Sequence, residues 1–426
     1  MESIPEDFLH YLWKYKLFHT DNLVSDNGEN LEIIENGWHN KDAGPDFFNA
    51  KIKIGETLWA GNVEIHKKSS DWYNHNHHLN KAYDNVILQV VLTNDQETRR
   101  TNGTSIPTLS IKFDDHLYNN YSKLLTNENW IACEQELSYI DHFTINFWLD
   151  KLTIERLMDK YEEITNTLIM NNNNWETTFY QKLAKNFGFK VNATPFELLS
   201  QSLPLEFIAK HKDNNLQIEA LLFGQAGFLS DNLSNDEYYL QLCREYKHLR
   251  KKFNLKPIDN HIWKFSKLRP SNFPTIRIAQ FASIIYNSSK LFSKILETRE
   301  IQEIHKLFNI NHSGYWNEHY TFKKLSKTKK NKKIGKSAIN IIIINTIIPF
   351  LFIYGERKNK PGYKDKALNF LNQLPPENNS IIKKWKKLNI RPDSACQSQA
   401  LIQLKNKYCS KKKCLDCQIG KKIISN

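Results

Sequence analysis

The sequence predicts an α+β or α/β N-terminal domain, a mixed sheet with flanking helices, followed by a mainly α-helical C-terminal region. Val86 to Leu92 is a continuous apolar run broken only by Gln89, the signature of a strand buried on both faces. Phe47 to Ile54 and Leu58 to His66 are strand-like runs joined by the tight turn Gly55-Glu56-Thr57. From about residue 141 apolar positions recur with helical spacing and strand signals are few.

Taken in order, residues 5–17 form a first helix, with Pro5 at its start and apolar residues on one face. Leu31 to Ile34 is a short strand ended by Asn36-Gly37. The two runs at 47–54 and 58–66 follow as a hairpin. Ser69-Ser70-Asp71 caps a helix reaching about Ala82, and the 86–92 strand comes next. Beyond these, Phe147 to Thr167 and Asn174 to Phe187 read as helices. Thr194-Pro195 opens another, and Leu268 to Pro274 is a rigid loop before a helix from Thr275 to about Tyr286. Ala338 to Tyr354 is apolar but contains Asn340, Asn345 and Pro349, and it is shorter than the ~20 residues of a spanning helix, so a buried core helix is expected. The division is 1–140, 141–320 and a basic helical region 321–426.

At 426 residues, 40% hydrophobic and 12% aromatic, the composition is that of a folded globular chain and excludes a disordered one. The net charge of +13 is unevenly placed: residues 321–426 carry about +20 and residues 1–150 about −11. That asymmetry suits a cation at the front and a polyanion at the back, although a bias towards lysine in the composition would also produce it. The acidic start, with neither a basic nor an apolar leader segment, argues against a signal peptide, and a cytoplasmic location is expected.

Side chains alternate along a strand, so Asn62, Glu64 and His66 share one face, while Val63 and Ile65 point to the other against a packing helix. Glu64 and His66 are then expected on the wet side. Asp46, at the start of the preceding strand, lies near the same end of the sheet. Two carboxylates brought together this way bind Mg²⁺ or Mn²⁺, which prefer hard oxygen donors and activate water against a phosphodiester. The alternative is that Asp46 caps a turn and Glu64 is a surface strand residue.

Pro45-Asp46 followed by Glu64-Ile65-His66, in a helix-strand-strand-strand-helix-strand succession, resembles the PD-(D/E)xK nuclease superfamily. The resemblance implies a restriction-endonuclease-like sheet, Asp46 and Glu64 as metal ligands, and the Ile65 carbonyl completing the site. His66 stands where that superfamily usually has Lys. A histidine there can position or deprotonate water near neutral pH, and Lys51, Lys53 or Lys67 could supply the missing cation. His75, His77 and His78 follow; if the helix continues through them, His75 and His78 share a face. With His66 they resemble the histidine-rich segment of Vsr-type mismatch-repair endonucleases. The run GPDFFNAKIKIG…WAGNVEIHKKSSDW, with LRPSNFPTIRIAQ and the terminal CxxxxCLDCxIG, is also similar to a bacterial family known only as a domain of unknown function.

Cys409, Cys414 and Cys417 put three thiols in one lysine-rich segment, with Cys396 as a candidate fourth ligand. Zn²⁺ and a [4Fe–4S] cluster both accept four cysteines, and free thiols are the third possibility. Cys133 and Cys243 read as isolated core residues. Lys383, Lys384, Trp385 and Lys386 form a basic patch around an aromatic, suited to phosphates and a stacked base unless Trp385 turns inward. The expected partner is nucleic acid, DNA ahead of RNA, with no membrane partner. The function so indicated is a metal-dependent nuclease with Asp46, Glu64 and His66 as catalytic residues, or a non-catalytic nucleic-acid-binding scaffold on a degenerate nuclease fold.

Overall fold

A computed structural model describes residues 4–229, 236–288, 290–311, 313–327 and 329–426. Met1 to Ser3, part of the acidic start noted above, lie outside the described residues. The chain divides into two compact units, one of residues 1–148 with 405–426 and the other of residues 149–404. The sequence-based cuts near 140 and 320 differ from this, because the C-terminal segment joins the first unit.

The first unit is built on a mixed sheet. Its strands are β1 (Leu31–Glu35), β2 (Trp38–His39), β3 (Phe47–Ile54), β4 (Thr57–Lys68), β5 (Val86–Thr93) and β6 (Thr108–Ser110). Their order is β1-β3-β4-β5-β6, with β2 also on β3. β3 pairs antiparallel with β1 and β4, whereas β5 is parallel to both β4 and β6. β5 is thus an interior strand, and its residues from Val86 to Val91 are all buried, as its apolar run requires. Helix α1 (Glu6–Tyr15) covers the sheet with Phe8, Leu9, Leu12 and Trp13.

Two glycines shape the region that carries the acidic residues. Gly37, at φ +82°, lies so close to β3 that a Cβ would stand 2.7 Å from the Phe48 carbonyl oxygen. At Gly61 a Cβ would meet the Ile87 side chain at 2.4 Å, which lets the starts of β4 and β5 close together. Between Phe47 and Ala50 the β3–β4 register shifts at a bulge with Asn49 in the left-handed region.

The helix expected over 71–82 does not form. Helix α2 (Asp71–Asn74) is one turn long; Asn76 is left-handed at φ 61°, and two short 3₁₀ turns, His77–Leu79 and Lys81–Tyr83, follow. Asparagine tolerates that backbone better than most residues, and its side chains here compete with helical hydrogen bonding.

The second unit is helical, apart from a small hairpin of His319–Thr321 and Lys324–Leu325 at the start of the lysine run. The reading of 147–167 as one helix resolves into His142–Met158 and Tyr161–Met170. Lys336–Arg357 is one continuous 22-residue helical stretch of mean hydropathy 2.0, long and apolar enough to cross a membrane, and 72% of its most apolar window is buried in the unit's own core. It is longer than its sequence limits suggested, because a π-helical segment, Ile343–Ile347, carries the helix through Asn345 to Pro349. Phe179, Phe292 and Phe350 pack ring against ring beside it, with centroids 5.2–5.6 Å apart.

Candidate metal centre

Asp46 and Glu64 meet at the end of the β3–β4 pair. Each carboxylate accepts a backbone N–H from the other's strand: Asp46 N–H donates to Glu64 Oε2 at 3.1 Å, and Ile65 N–H donates to Asp46 Oδ2 at 2.9 Å. Neither residue sits on a wet surface. Glu64 is 5% exposed and His66 1%, because the turns after α2 fold over that face of the sheet. The expected solvation of Glu64 and His66 is corrected accordingly: alternation placed them on one face, but a loop with no regular period covers it.

The covering loop delivers histidines. His66 Nε2 lies 3.2 Å from His75 Nδ1 and 3.6 Å from Glu64 Oε1, and His77 Nε2 lies 3.2 Å from the same oxygen. The three imidazole donors all fall within 4.8 Å of one another. Four donors sharing one tetrahedral ion at ~2.0–2.1 Å stand about 3.3–3.4 Å apart, so these separations are close to those of a bound ion. The buried His77 Nε2 makes no hydrogen bond, and a cation between it and Glu64 satisfies both. The Gln89 amide of β5 faces His66 Nδ1 at 3.1 Å and fixes that ring, with Nε2 turned to the cluster. Tyr83 stacks on His77 with centroids 3.8 Å apart. His78 instead packs on Tyr73, so the pair that meets His66 is His75 and His77, not the i, i+3 pair of an unbroken helix.

The electrostatics fit a cation site. Burial, and then the Asp46 charge, push the Glu64 carboxyl up to about 9. For Asp46, burial works against ionisation, but the His10 hydrogen bond and charge, with the Ile65 N–H, hold it below the usual carboxylate range. Burial and the neighbouring His77 and His75 bring His66 down to about 3, leaving it a neutral imidazole, the form that binds metal. His10 of α1 is the local cation: burial lowers it, yet the contact to Asp46 Oδ2 at 3.2 Å wins and its pKa is raised.

None of the lysines considered as stand-ins contacts the two carboxylates. Lys51 pairs with Glu35 at 2.7 Å and Lys53 with Glu56 at 3.8 Å, both exposed, and Lys67 lines a separate cleft with Lys68 and His75. His10 was not singled out from the sequence. It sits between buried apolar residues of α1 and carries no spacing signal of its own.

The other candidate residues lie elsewhere. Trp385 is not available to a stacked base: it is 1% exposed and its indole donates to the Leu401 carbonyl at 3.1 Å. Lys383, Lys384 and Lys386 are on the exposed side of the same helix, Ser380–Lys387. Helical spacing turned the one aromatic of the patch into the core. Cys396 belongs to the second unit, where its thiol lies 3.4 Å from the Thr153 hydroxyl. Cys409, Cys414 and Cys417 belong to the first unit.

A family model described as "Protein of unknown function (DUF2851)" matches residues 6–380. The match takes in every residue of the candidate metal centre and stops short of Cys409. No curated protein and no solved structure matches the chain.

Proposed function

The chain belongs to the DUF2851 family, and we propose that it is a metal-dependent nuclease whose first unit cleaves nucleic-acid phosphodiesters. The reading is carried by one observation: two carboxylates on adjacent strands, Asp46 and Glu64, are interlocked through each other's backbone while Glu64 Oε1 faces two imidazole nitrogens. Mg²⁺ or Mn²⁺ fits the carboxylates, and the imidazoles extend the choice to ions that accept nitrogen donors. When bound, such an ion lowers the pKa of a coordinated water and neutralises charge on the phosphate. The protein residues position this chemistry. Asp46 and Glu64 hold the cation, Gln89 orients His66, and His10 is a proton-bearing group on the side of Asp46.

Two clefts in the same unit give a polyanion access. One, of about 580 Å³, is lined by His10, His39, Lys14, Lys41 and Lys411 to Lys413. A second, of about 670 Å³, holds Lys67, Lys68 and His75. Lysines read charge and not sequence, so binding without strong sequence preference follows. Trp38, 78% exposed and next to His39 of the first cleft, is a better platform for a base than Trp385.

The test is cleavage of plasmid DNA, single-stranded DNA and RNA by the full chain with Mg²⁺, Mn²⁺ or Zn²⁺. Metal-dependent cleavage that falls at least 100-fold in Glu64→Gln, in protein of unchanged melting temperature, supports the proposal. A second reading, a nucleic-acid-binding scaffold with a degenerate site, draws support from the lysines' engagement away from the carboxylates. Metal-independent binding with no cleavage under any of these ions selects it and overturns the first.

A further inference from the structure

Cys133, which reads from sequence as an isolated core residue, is not isolated. Within the first unit its sulfur lies in electrostatic reach of Cys409, Cys414 and Cys417, and those three are in reach of one another, so every pair among the four interacts. All four are free thiols, with Cys414 and Cys417 buried. They come from separate pieces of chain, and the contacts that bring the pieces together are specific. Lys405 Nζ donates to the Trp130 carbonyl at 2.6 Å and lies over the Trp130 ring, while the Lys412 ammonium donates to the Leu125 carbonyl. Cys417 precedes the terminal helix Gln418–Ser425, and its sulfur accepts from the Ile419 and Gly420 N–H groups and the Trp148 indole. At Gly420 a Cβ would stand 2.3 Å from the Cys414 carbonyl oxygen, so the turn that carries two of the thiols lies directly on that helix.

Four unlinked thiols converging in a largely buried pocket raise one another's cost of ionisation, and a bound metal group removes it. Lys405 stands by Cys409, Lys412 by Cys414 and Lys421 by Cys417, offsetting negative charge from outside. The spacing chooses the group. Thiolates sharing one zinc ion at ~2.3 Å bonds stand about 3.8 Å apart. Among the described residues, no three of these sulfurs fall within 4.8 Å of one another. A cube of iron and sulfide presents its corners to four separated thiolates.

We propose that Cys133, Cys409, Cys414 and Cys417 hold a [4Fe–4S] cluster that ties the C-terminal segment to the first unit. The thiols bind as thiolates, releasing their protons to water, and the cluster serves as a structural clasp.

The full chain, purified without oxygen and reconstituted with ferrous iron and sulfide, is assayed for iron, acid-labile sulfide and zinc. Iron and sulfide in equal amounts, about four of each per chain, with a broad visible charge-transfer absorbance, is the expected result. Cys133→Ala should lose most of that absorbance and Cys396→Ala should keep it. Stoichiometric zinc without sulfide, or a chain that takes up neither metal, overturns the proposal, and these readings need only the unmodified protein. Loss of the cluster in Cys396→Ala with retention in Cys133→Ala overturns the ligand assignment.

Discussion

At the scale of single residues, burial decides which side chains do chemistry. Glu64, His66 and Gln89 are all enclosed, so the centre depends on partners fixed in advance. Gln89 touches no expected ligand position itself and acts through His66. Gln89→Ala is therefore expected to weaken metal binding by about 10–100-fold, measured by titration calorimetry with Zn²⁺ or Mn²⁺. A purely structural glutamine would leave affinity unchanged and lower only the melting temperature. Trp385 is the opposite case. Its ring fills the core and its N–H is satisfied, so Trp385→Ala is expected to cost about 3–5 kcal/mol in denaturant unfolding, while any folded protein binds nucleic acid as before. A selective loss of binding at unchanged stability contradicts this.

At the scale of elements, the helix Asn215–Gln225 carries a buried titratable group. Glu219 is fully buried and accepts the Tyr238 hydroxyl at 2.6 Å. Burial raises its pKa from 4.5 to about 7, and the hydrogen bonds only partly oppose that. The folded chain therefore keeps a proton that the unfolded chain gives up. The corresponding stability is complete below pH 4.5 and is lost as pH rises through about 7. Relative to Glu219→Gln, the unmodified protein should show a melting temperature that falls across this window. Parallel melting profiles of the two proteins would show that Glu219 does not titrate there. The loop after α2 makes a complementary point: losing regular structure at Asn74 is what brings His75 and His77 to His66, which a continued helix would not do.

At the scale of the whole molecule, residues 405–426 return to the first unit. Tyr11 and Ser425 hydroxyls lie 3.4 Å apart, and the Asn120 amide donates to the Ile423 carbonyl at 3.3 Å. A chain ending at Leu404 is expected to lose protection of the first unit in hydrogen exchange, while the helical unit stays protected; equal protection in both would refute that dependence. The same return places Lys411, Lys412 and Lys413 on the cleft that holds His10. Replacing all three by alanine should reduce the slope of log affinity against log salt by about 2–3 for duplex DNA. An unchanged slope would remove this cleft from the binding surface.

The sequence by itself determined the elements and their layers. The apolar run at 86–92 could only be an interior strand, and period-two alternation put Glu64 and His66 on one face with Asp46 at the matching end. Helical spacing after 141 and the burial of 338–354 were legible for the same reason: each is a local pattern whose period matches a backbone repeat. Tertiary structure alone decided what meets what across long separations. His10 joins Asp46, His77 replaces His78, and Cys133 takes the place given to Cys396. None of these leaves a periodic trace, because a contact between distant pieces of chain is set by how whole elements pack, whereas local sequence fixes only the direction in which each side chain leaves its own element.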